Sequence, residues 1–505
     1  MNALRKTTLR LNAAFSRGKL IVLLNLVAQV VRQIGAFITF PLLARYLGAE
    51  GYGVQVQMNS FVGVLTPIAS LGLGFSVVRL VAGSTDKDYV SQRFASTVLL
   101  VTVVASIFAA VQYAAAPLLN DLFIRVDWAV DIIRLSSLLI VVGAVSTIVQ
   151  DYYRARVRLL YTLLLQIVLT LAQIGGMVLI LTNGGGLREI VLLNIVSSVA
   201  VILAWVILFY RLGEVRLRAG WMSRADLRAM VTSGFPVVVM GLSSWVMIFG
   251  DRAVIGYYLP VSEVGIYGAA YTLAMIIGAL LGGPFWNLLY PLMSTHKNRG
   301  DLPSLYLACR RFMNSFLVLS IPAVVGLTVL SNDLLRIFGS ESFHIAPLAF
   351  GLIALAVFMD NFSTNAHYLV YLHDQPSFMR DLTIIAGTAN ILLNLILVPQ
   401  FGILGAAIST VGAYALLDVL LFRRILQYGY ALRQLYDFNW IRQVLIASTG
   451  MGIALVLIRQ VWIGDSVVYL LALIGIGVAV YGATLLLVYR ANTARLLAAL
   501  SGVRA

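Results

Sequence analysis

Arg32 stands in the middle of a long apolar run, and Asn25, Gln29 and Arg32 repeat at i, i+4 and i+7. That spacing puts three polar side chains on one face of a helix. Arg32 follows the start of the run at Leu20 by twelve residues. At 1.5 Å per residue that is about 18 Å of helix, near the centre of a hydrocarbon core about 30 Å thick. An ionised group there costs several kcal/mol unless it lines a cavity or meets a partner, so it is a default functional candidate. Asp251 and Arg252 pose the same question in a later run, where Asp251 continues a face with Ser244 and Met247. Asp360 falls in a polar cluster with Asn361, Thr364, Asn365 and His367, and Asp418 closes an i, i+4, i+8 stripe with Thr410 and Tyr414. Arginine binds phosphate bidentately and keeps its proton. Buried carboxylates can instead exchange a proton or a sodium ion. Arg32, Arg252 and Arg79, with Asn25 and Gln29, are therefore the candidates for lining a substrate cavity. Asp251, Asp360 and Asp418 are the candidates for ion coupling. Arg79 lies close to the end of its run, where snorkelling competes with a binding role.

The elements that must position these groups follow from composition. Of the 505 residues, 60% are apolar without counting glycine and 11% are charged. An ordinary soluble chain is about 25% charged. A soluble enzyme, a disordered protein and a disulfide scaffold are excluded, the last also by a single cysteine, Cys309. The four histidines show no metal-ligand spacing, and no phosphate-binding G-x-x-x-x-G-K-[ST] loop is present. No cofactor and no metal are expected, and no enzymatic reaction.

Continuous apolar runs separated by short polar breaks give fourteen expected spans. They are 20–44, 52–81, 94–119, 130–152, 159–182, 190–210, 234–259, 264–293, 305–330, 345–372, 382–398, 403–422, 441–458 and 467–489. The first is read as a retained helix, since it lacks a short apolar core followed by a cleavage site. Continuous runs exclude a β-barrel, whose strands alternate. With the N-terminus inside, 27 of the 36 basic residues fall in inner segments. Six fall outside, namely Arg45, Arg125, Arg134, Arg188, Arg336 and Arg459, and Arg32, Arg79 and Arg252 fall within spans. That bias places both termini in the cytoplasm. The net charge of +15 is thus an orientation signal, and no nucleic-acid partner is implied. Two inner stretches read either as interfacial helices or as solvated basic loops: the basic, leucine-bearing N-terminus, and Trp221–Met230, where Ser223 and Asp226 have capping-box spacing.

The chain also repeats. Arg45-Tyr-Leu-Gly-Ala-Glu-Gly-Tyr-Gly53 joins spans one and two, and Tyr257-Tyr-Leu-Pro-Val-Ser-Glu-Val-Gly-Ile-Tyr-Gly268 joins spans seven and eight. Gln92-Arg-Phe94 and Arg310-Arg-Phe312 open spans three and nine, and Gly186-Leu-Arg and Gly402-Ile-Leu precede spans six and twelve. One offset near 215 residues covers all of these, and six spans per repeat is even, so the halves share an orientation. The expected organisation is a cytoplasmic segment 1–19, a six-helix bundle 20–212, a linker 213–233, a second bundle 234–426, a linker 427–440, a helix pair 441–489 and a tail 490–505.

The 45–53 motif, its echo at Glu263-Val-Gly-Ile-Tyr267 and Gly402-Ile-Leu-Gly-Ala-Ala407 resemble the polysaccharide flippases of the multidrug/oligosaccharidyl-lipid/polysaccharide exporter superfamily. The resemblance covers essentially the whole chain. It implies an all-α polytopic protein of about fourteen spans, with two six-helix bundles in a V and an extra C-terminal pair. It implies alternating-access transfer of undecaprenyl-pyrophosphate-linked sugar repeat units from the inner to the outer leaflet of a bacterial inner membrane. Partners on that view are membrane lipids, the lipid-linked oligosaccharide, and polymerase and chain-length-control proteins. Coupling would be to H+ or Na+. Trp245, Tyr271, Trp286 and Tyr290 are available to stack on sugars, although packing is the commoner use of such residues. A cation-coupled multidrug antiporter shares the fold and would use an acidic cavity built on Asp251, Asp360 and Asp418. A peptidoglycan-precursor flippase would carry an N-terminal signature absent here, and a membrane glycosyltransferase would carry a substantial outer loop.

Overall fold

The computed structural model describes residues 2–82, 86–155, 159–212 and 224–501, and in parts of its helices the backbone alone. Ser223 lies outside the described residues. The described residues form helices and connecting turns, with no strand among them. Backbone polar groups have no water to bond to in hydrocarbon, so a spanning chain must satisfy them within each segment. Twelve helices among the described residues are long and apolar enough to cross a membrane, and they coincide with expected spans three to fourteen. The first two expected spans fall on α1 (Asn2–Ala69) and α2 (Leu73–Ala82). The protein is a multi-pass, all-helical membrane protein.

The chain divides into two compact units. The first holds residues 1–47 and 54–245, and the second holds residues 48–53 and 246–505. In the first unit, α1 and α2 are followed by α3 (Lys87–Phe123), α4 (Ala129–Ala155), α5 (Leu159–Thr182), α6 (Leu187–Leu212) and the start of α7 (Arg224–Tyr258). Its core is an aromatic cluster of Phe94, Tyr152, Tyr153, Trp205 and Phe209, with ring centroids 4.1–5.1 Å apart across the contacts from Phe94 to Tyr152, Tyr153 to Trp205 and Tyr152 to Phe209. Span two is interrupted: α1 stops at Ala69, Leu71 and Gly72 take positive φ values of 52° and 64°, and α2 resumes at Leu73. Gly72 lies against the backbone of Gly234, where a β-carbon would collide. Ser76 secures this crossing by donating to the Met230 carbonyl at 3.1 Å. Asp226 pairs with Arg93 at 2.8 Å, and α7 continues unbroken from its polar start into span seven.

The second unit continues through α8 (Val261–Ala274), a π-helical turn (Ile277–Gly282), α9 (Gly283–Asn298), α10 (Leu302–Val329) and α11 (Ser331–Phe338). Then come α12 (Pro347–Phe362), α13 (Thr364–Leu372), α14 (Pro376–Phe401), α15 (Ile403–Gln427), α16 (Leu432–Leu435), α17 (Phe438–Val461) and α18 (Val467–Ser501). Span eight, like span two, is interrupted, although its π-helical turn lies nearer the joining motif than the Leu71–Gly72 break does. Span ten is also divided, at Ser363. The Gly402-Ile-Leu-Gly motif makes a one-residue corner. Gly402 at φ 59° ends α14, and Gly405 packs on the Leu397 carbonyl so that α15 turns straight back along α14.

The duplicated motif proves to be a contact. Gly48, at φ 66° and ψ −176°, breaks α1, and the segment 48–53 packs on the start of α8. A β-carbon on Gly53 would strike the Val261 carbonyl, and one on Gly265 would strike the Ala49 carbonyl. Close backbone approach at small residues is the usual way helices adhere in a membrane.

The C-terminal pair α17–α18 is fastened to the unit at both ends. Asp437 caps α17 by accepting from the Trp440 backbone N–H at 3.2 Å and pairs with Arg310 of α10. At the other end Arg459 pairs with Asp333 at 2.9 Å, and Arg336 with Asp465 at 2.6 Å. Burial alone would raise the Asp437 carboxyl, but the Arg310 guanidinium and the Trp440 N–H hold it below its ordinary value of 3.8. A carboxyl lowered on folding stabilises above that value, and the contribution is lost as pH falls through the folded value.

Two outcomes follow. Gly53→Val or Gly265→Val should cost about 1–3 kcal/mol or more by overpacking, while Gly241→Val, whose β-carbon meets nothing within 4 Å, should be close to neutral. Melting of the purified variants checks this. Asp437→Ala should cost about 1 kcal/mol at neutral pH as a lost cap. In melts at successively lower pH, its deficit should shrink as pH passes below the carboxyl's ordinary range.

Candidate functional site

Asp251 and Arg252 sit side by side on α7 with 1% and 4% of their surface exposed. The Arg252 guanidinium meets the Asp251 carboxylate at 3.0 Å and also donates to the Ile248 carbonyl one turn back. The Arg252 backbone N–H donates to the same carboxylate oxygen at 2.8 Å. The Tyr267 hydroxyl, from α8, donates to the other oxygen. The guanidinium lies over the ring of Tyr271, 4.6 Å from its centroid, and over that of Phe249, at 4.8 Å. Neighbouring Cβ atoms on a helix point about 100° apart, which argues for partners on other helices. The long arginine side chain instead curls back, so the ion pair forms within α7 and only the tyrosines come from α8. Such a pair is neutral as a unit, and removal of one member strands a buried charge.

The carboxylates of spans ten and twelve sit differently. Asp360 is at the last turn of α12 and is exposed. Helix α12 ends two residues later. Ser363 occupies the break, its hydroxyl directed at the Met359 and Asp360 carbonyls at 3.2 and 3.3 Å, and its own carbonyl meets His367 Nδ1 at 3.0 Å. Asp418 of α15 is 7% exposed and lies against Ser363. The stripe expected to act together is divided among three neighbours. Thr410 receives Asn390 of α14 at 3.5 Å, Tyr414 stands beside Tyr271 and Asp360, and Asp418 faces the break in span ten.

Asn361 joins the two broken spans. Its Oδ1 accepts from Trp286 Nε1 at 3.3 Å, and its side chain fills the space left by Gly278 and Gly282 in the π-helical turn. Half-helices and π-turns at this depth are where transporters place binding groups, because freed backbone atoms need polar company. Asn365 is fully buried and donates to the Cys309 carbonyl at 3.3 Å. Trp286 and Tyr271 are buried in packing, whereas Tyr290 is 38% exposed and packs on Tyr368 at 5.2 Å. Among the described residues no group of three His, Cys, Asp or Glu could hold a metal ion.

Asn25, Gln29, Arg32 and Arg79 lie on α1 and α2, and their side chains are outside those described. Asp251, Arg252, Asp360 and Asp418 are all in the second unit. Tyr267 and Ser363, which hold them, are not among the candidates read from the sequence. Tyr267 had a signal, its place in the duplicated motif. Ser363 had none beyond lying between Asp360 and His367.

Asp251→Ala should destabilise by roughly 3–5 kcal/mol through the stranded Arg252. Replacing both residues with Ala and Met should recover much of that loss, as read by melting of the purified protein. If the single and double variants melt alike, the pair is not the determinant.

Comparison with known proteins gives a consistent picture. Residues 21–297 match the family model described as "Polysaccharide biosynthesis protein". The chain is 24% identical over 386 residues to the probable low-salt glycan biosynthesis flippase Agl15 of Haloferax volcanii, covering 76% of this chain and 78% of that protein. It is 27% identical over 177 residues to the probable flippase AglR of the same organism, covering 35% and 37%. Among solved structures, the lipid II flippase MurJ in an inward closed conformation superposes with a TM-score of 0.74 at 14% identity, covering 94% of this chain and 99% of that one. An inward-facing multidrug resistance MATE family transporter superposes with a TM-score of 0.58 at 14% identity, covering 78% and 93%. These likenesses to solved structures show the fold.

Proposed function

The chain belongs to the polysaccharide biosynthesis protein family, and from that premise we propose that it is a flippase for lipid-linked oligosaccharide. It carries the repeat unit from the inner to the outer leaflet by alternating access, with undecaprenyl pyrophosphate as the lipid anchor. The observation that supports this reading most is the likeness to a glycan flippase along 76% of the chain. The chemistry agrees. A pyrophosphate head carries fixed negative charge, and the deep cations of this chain are arginines, which cannot shed their proton to escape burial. On this reading Arg32, with Asn25 and Gln29 on its face, screens the head group at mid-membrane. The lipid tail remains in the bilayer throughout.

Arg252 plays a conditional part. Asp251 and the tyrosines already satisfy it, so it meets an anion only when Asp251 is neutralised or displaced. Asp360, exposed at the break in span ten, and Asp418 across from it are the groups proposed to bind the coupling H+ or Na+. Both termini are proposed to be cytoplasmic in a bacterial inner membrane, with polymerase and chain-length-control proteins downstream of the released product. A cation-coupled multidrug antiporter is the second reading, favoured by one observation: Asp360 is an exposed carboxylate at the depth of the broken helices.

A flipping assay in sealed vesicles separates the two. Purified protein is reconstituted with a fluorescent undecaprenyl-pyrophosphate oligosaccharide, and the outer-leaflet fraction is read with a membrane-impermeant quencher. Wild type should equilibrate the lipid, Arg32→Ala should slow it by tenfold or more, and Arg32→Lys should retain part of the rate. Unimpaired flipping by Arg32→Ala removes Arg32 from the mechanism. Efflux of an organic cation without lipid flipping establishes the antiporter.

A further inference from the structure

Five of the six arginines assigned to the outer face have divergent fates. Arg336 and Arg459 are neutralised by Asp465 and Asp333. Arg125 turns back onto the Asp121 and Leu122 carbonyls at the end of α3, both at 3.3 Å. Arg134 and Arg188 do something else: they line one groove of about 390 Å³ in the first unit, at the ends of α4 and α6, with Tyr113 of α3 on its wall. Leu135 and Leu138 form its apolar side. The Ser137 hydroxyl is spent on the Arg134 carbonyl at 2.7 Å, so it leaves the lining without a free donor there. Asp131 sits at the rim, 84% exposed, and comes no closer to Arg134 than 3.6 Å. An exposed pair of that separation holds an arginine weakly. Arg134 Nε is buried without a hydrogen-bond partner among the described residues. Its guanidinium lies over the Tyr113 ring, 5.5 Å from the centroid. Glu189, next to Arg188, directs its carboxylate to the Gly186 N–H at 2.8 Å.

Outer segments of membrane proteins are depleted in arginine. Two arginines lining one groove at that surface, Arg134 with the exposed Asp131 carboxylate at 3.6 Å and the exposed Arg188 beside Glu189, are therefore a feature that topology does not explain. Two such forks match a ligand with two phosphate groups better than a single phosphodiester. The leucine side offers a surface for the first apolar carbons of a lipid.

We propose that this groove is an outer-leaflet docking site for the diphosphate head group of the translocated glycolipid, which takes the flippase reading as given and adds a place where the product rests before release. Arg134 and Arg188 hold the diphosphate, Tyr113 fixes the Arg134 guanidinium, and Leu135 and Leu138 meet the proximal isoprenoid.

The test is direct binding to the purified full-length protein in detergent, by calorimetry, with farnesyl diphosphate, farnesyl phosphate and phosphatidylglycerol as probes. Wild type should bind the diphosphate at least about tenfold more tightly than either the farnesyl monophosphate or the phosphodiester lipid. Arg134→Gln with Arg188→Gln should abolish that preference, and Leu138→Trp, which fills the groove without changing charge, should weaken all prenyl probes. Arg336→Gln should leave the preference intact. Equal affinity for the diphosphate and monophosphates overturns the proposal, as does an undiminished preference in the double variant. Tighter binding of phosphatidylglycerol reassigns the groove to an ordinary lipid and also overturns it. Flipping measured on the wild-type preparation keeps the two readings apart: a wild type that flips the glycolipid but shows no preference for the diphosphate sinks the groove alone. A preserved preference in a protein that never flips the glycolipid sinks the flippase reading.

Discussion

Hydrocarbon offers no partner to a peptide group, and that constraint orders everything else in this protein. Each span must be helical, so any interruption has to be supplied with replacement bonds. Among the described residues three interruptions occur, at Leu71–Gly72, at the π-helical turn of Ile277–Gly282 and at Ser363. Each is supported locally: Gly72 by close packing on Gly234, the π-helical turn by Asn361, and Ser363 by its own hydroxyl. Polar residues in the spans thus serve first to repair the backbone. The chemistry available to a substrate is whatever polarity remains after that repair.

The Asp251–Arg252 pair shows the same economy. Neither charge would be tolerated alone at that depth. Together, with Tyr267 on the carboxylate and Tyr271 under the guanidinium, they form a closed set whose members neutralise one another. A closed set is stable but unreceptive. It opens to a ligand only if one member changes charge or position, and that property suits a protein cycling between two states better than one holding a fixed site.

Much of the architecture was legible in the chain. Twelve of the expected spans coincide with observed helices because continuous apolar runs bounded by charge have a single folded solution in a bilayer. Of the motifs on which the repeat was read, one makes a corner whose geometry tolerates few substitutes, Gly402 at φ 59°. The breaks in spans two and eight were legible only through Gly72, Gly278 and Gly282, which permit bending or close contact. Leu71 and Leu280–Leu281 continue the apolar pattern, and nothing in hydropathy marks a positive φ or a π-turn. Partnerships were the least legible. Periodicity places Cβ atoms, and the Asp251–Arg252 contact is decided by the far end of a flexible side chain. The groove at Arg134 and Arg188 was invisible for the converse reason, since 54 residues separate two arginines that entered the reading only as members of a charge count.

The glycine crossing of segment 48–53 on α8 has a historical dimension. Each duplicated motif supplies both a glycine and the carbonyl that the other motif's glycine must clear. After a duplication most paired positions are free to diverge, since one copy can lose what the other keeps. Here neither can. A side chain acquired by Gly53 or by Gly265 is obstructed by the opposite motif, so each motif holds the other to glycine.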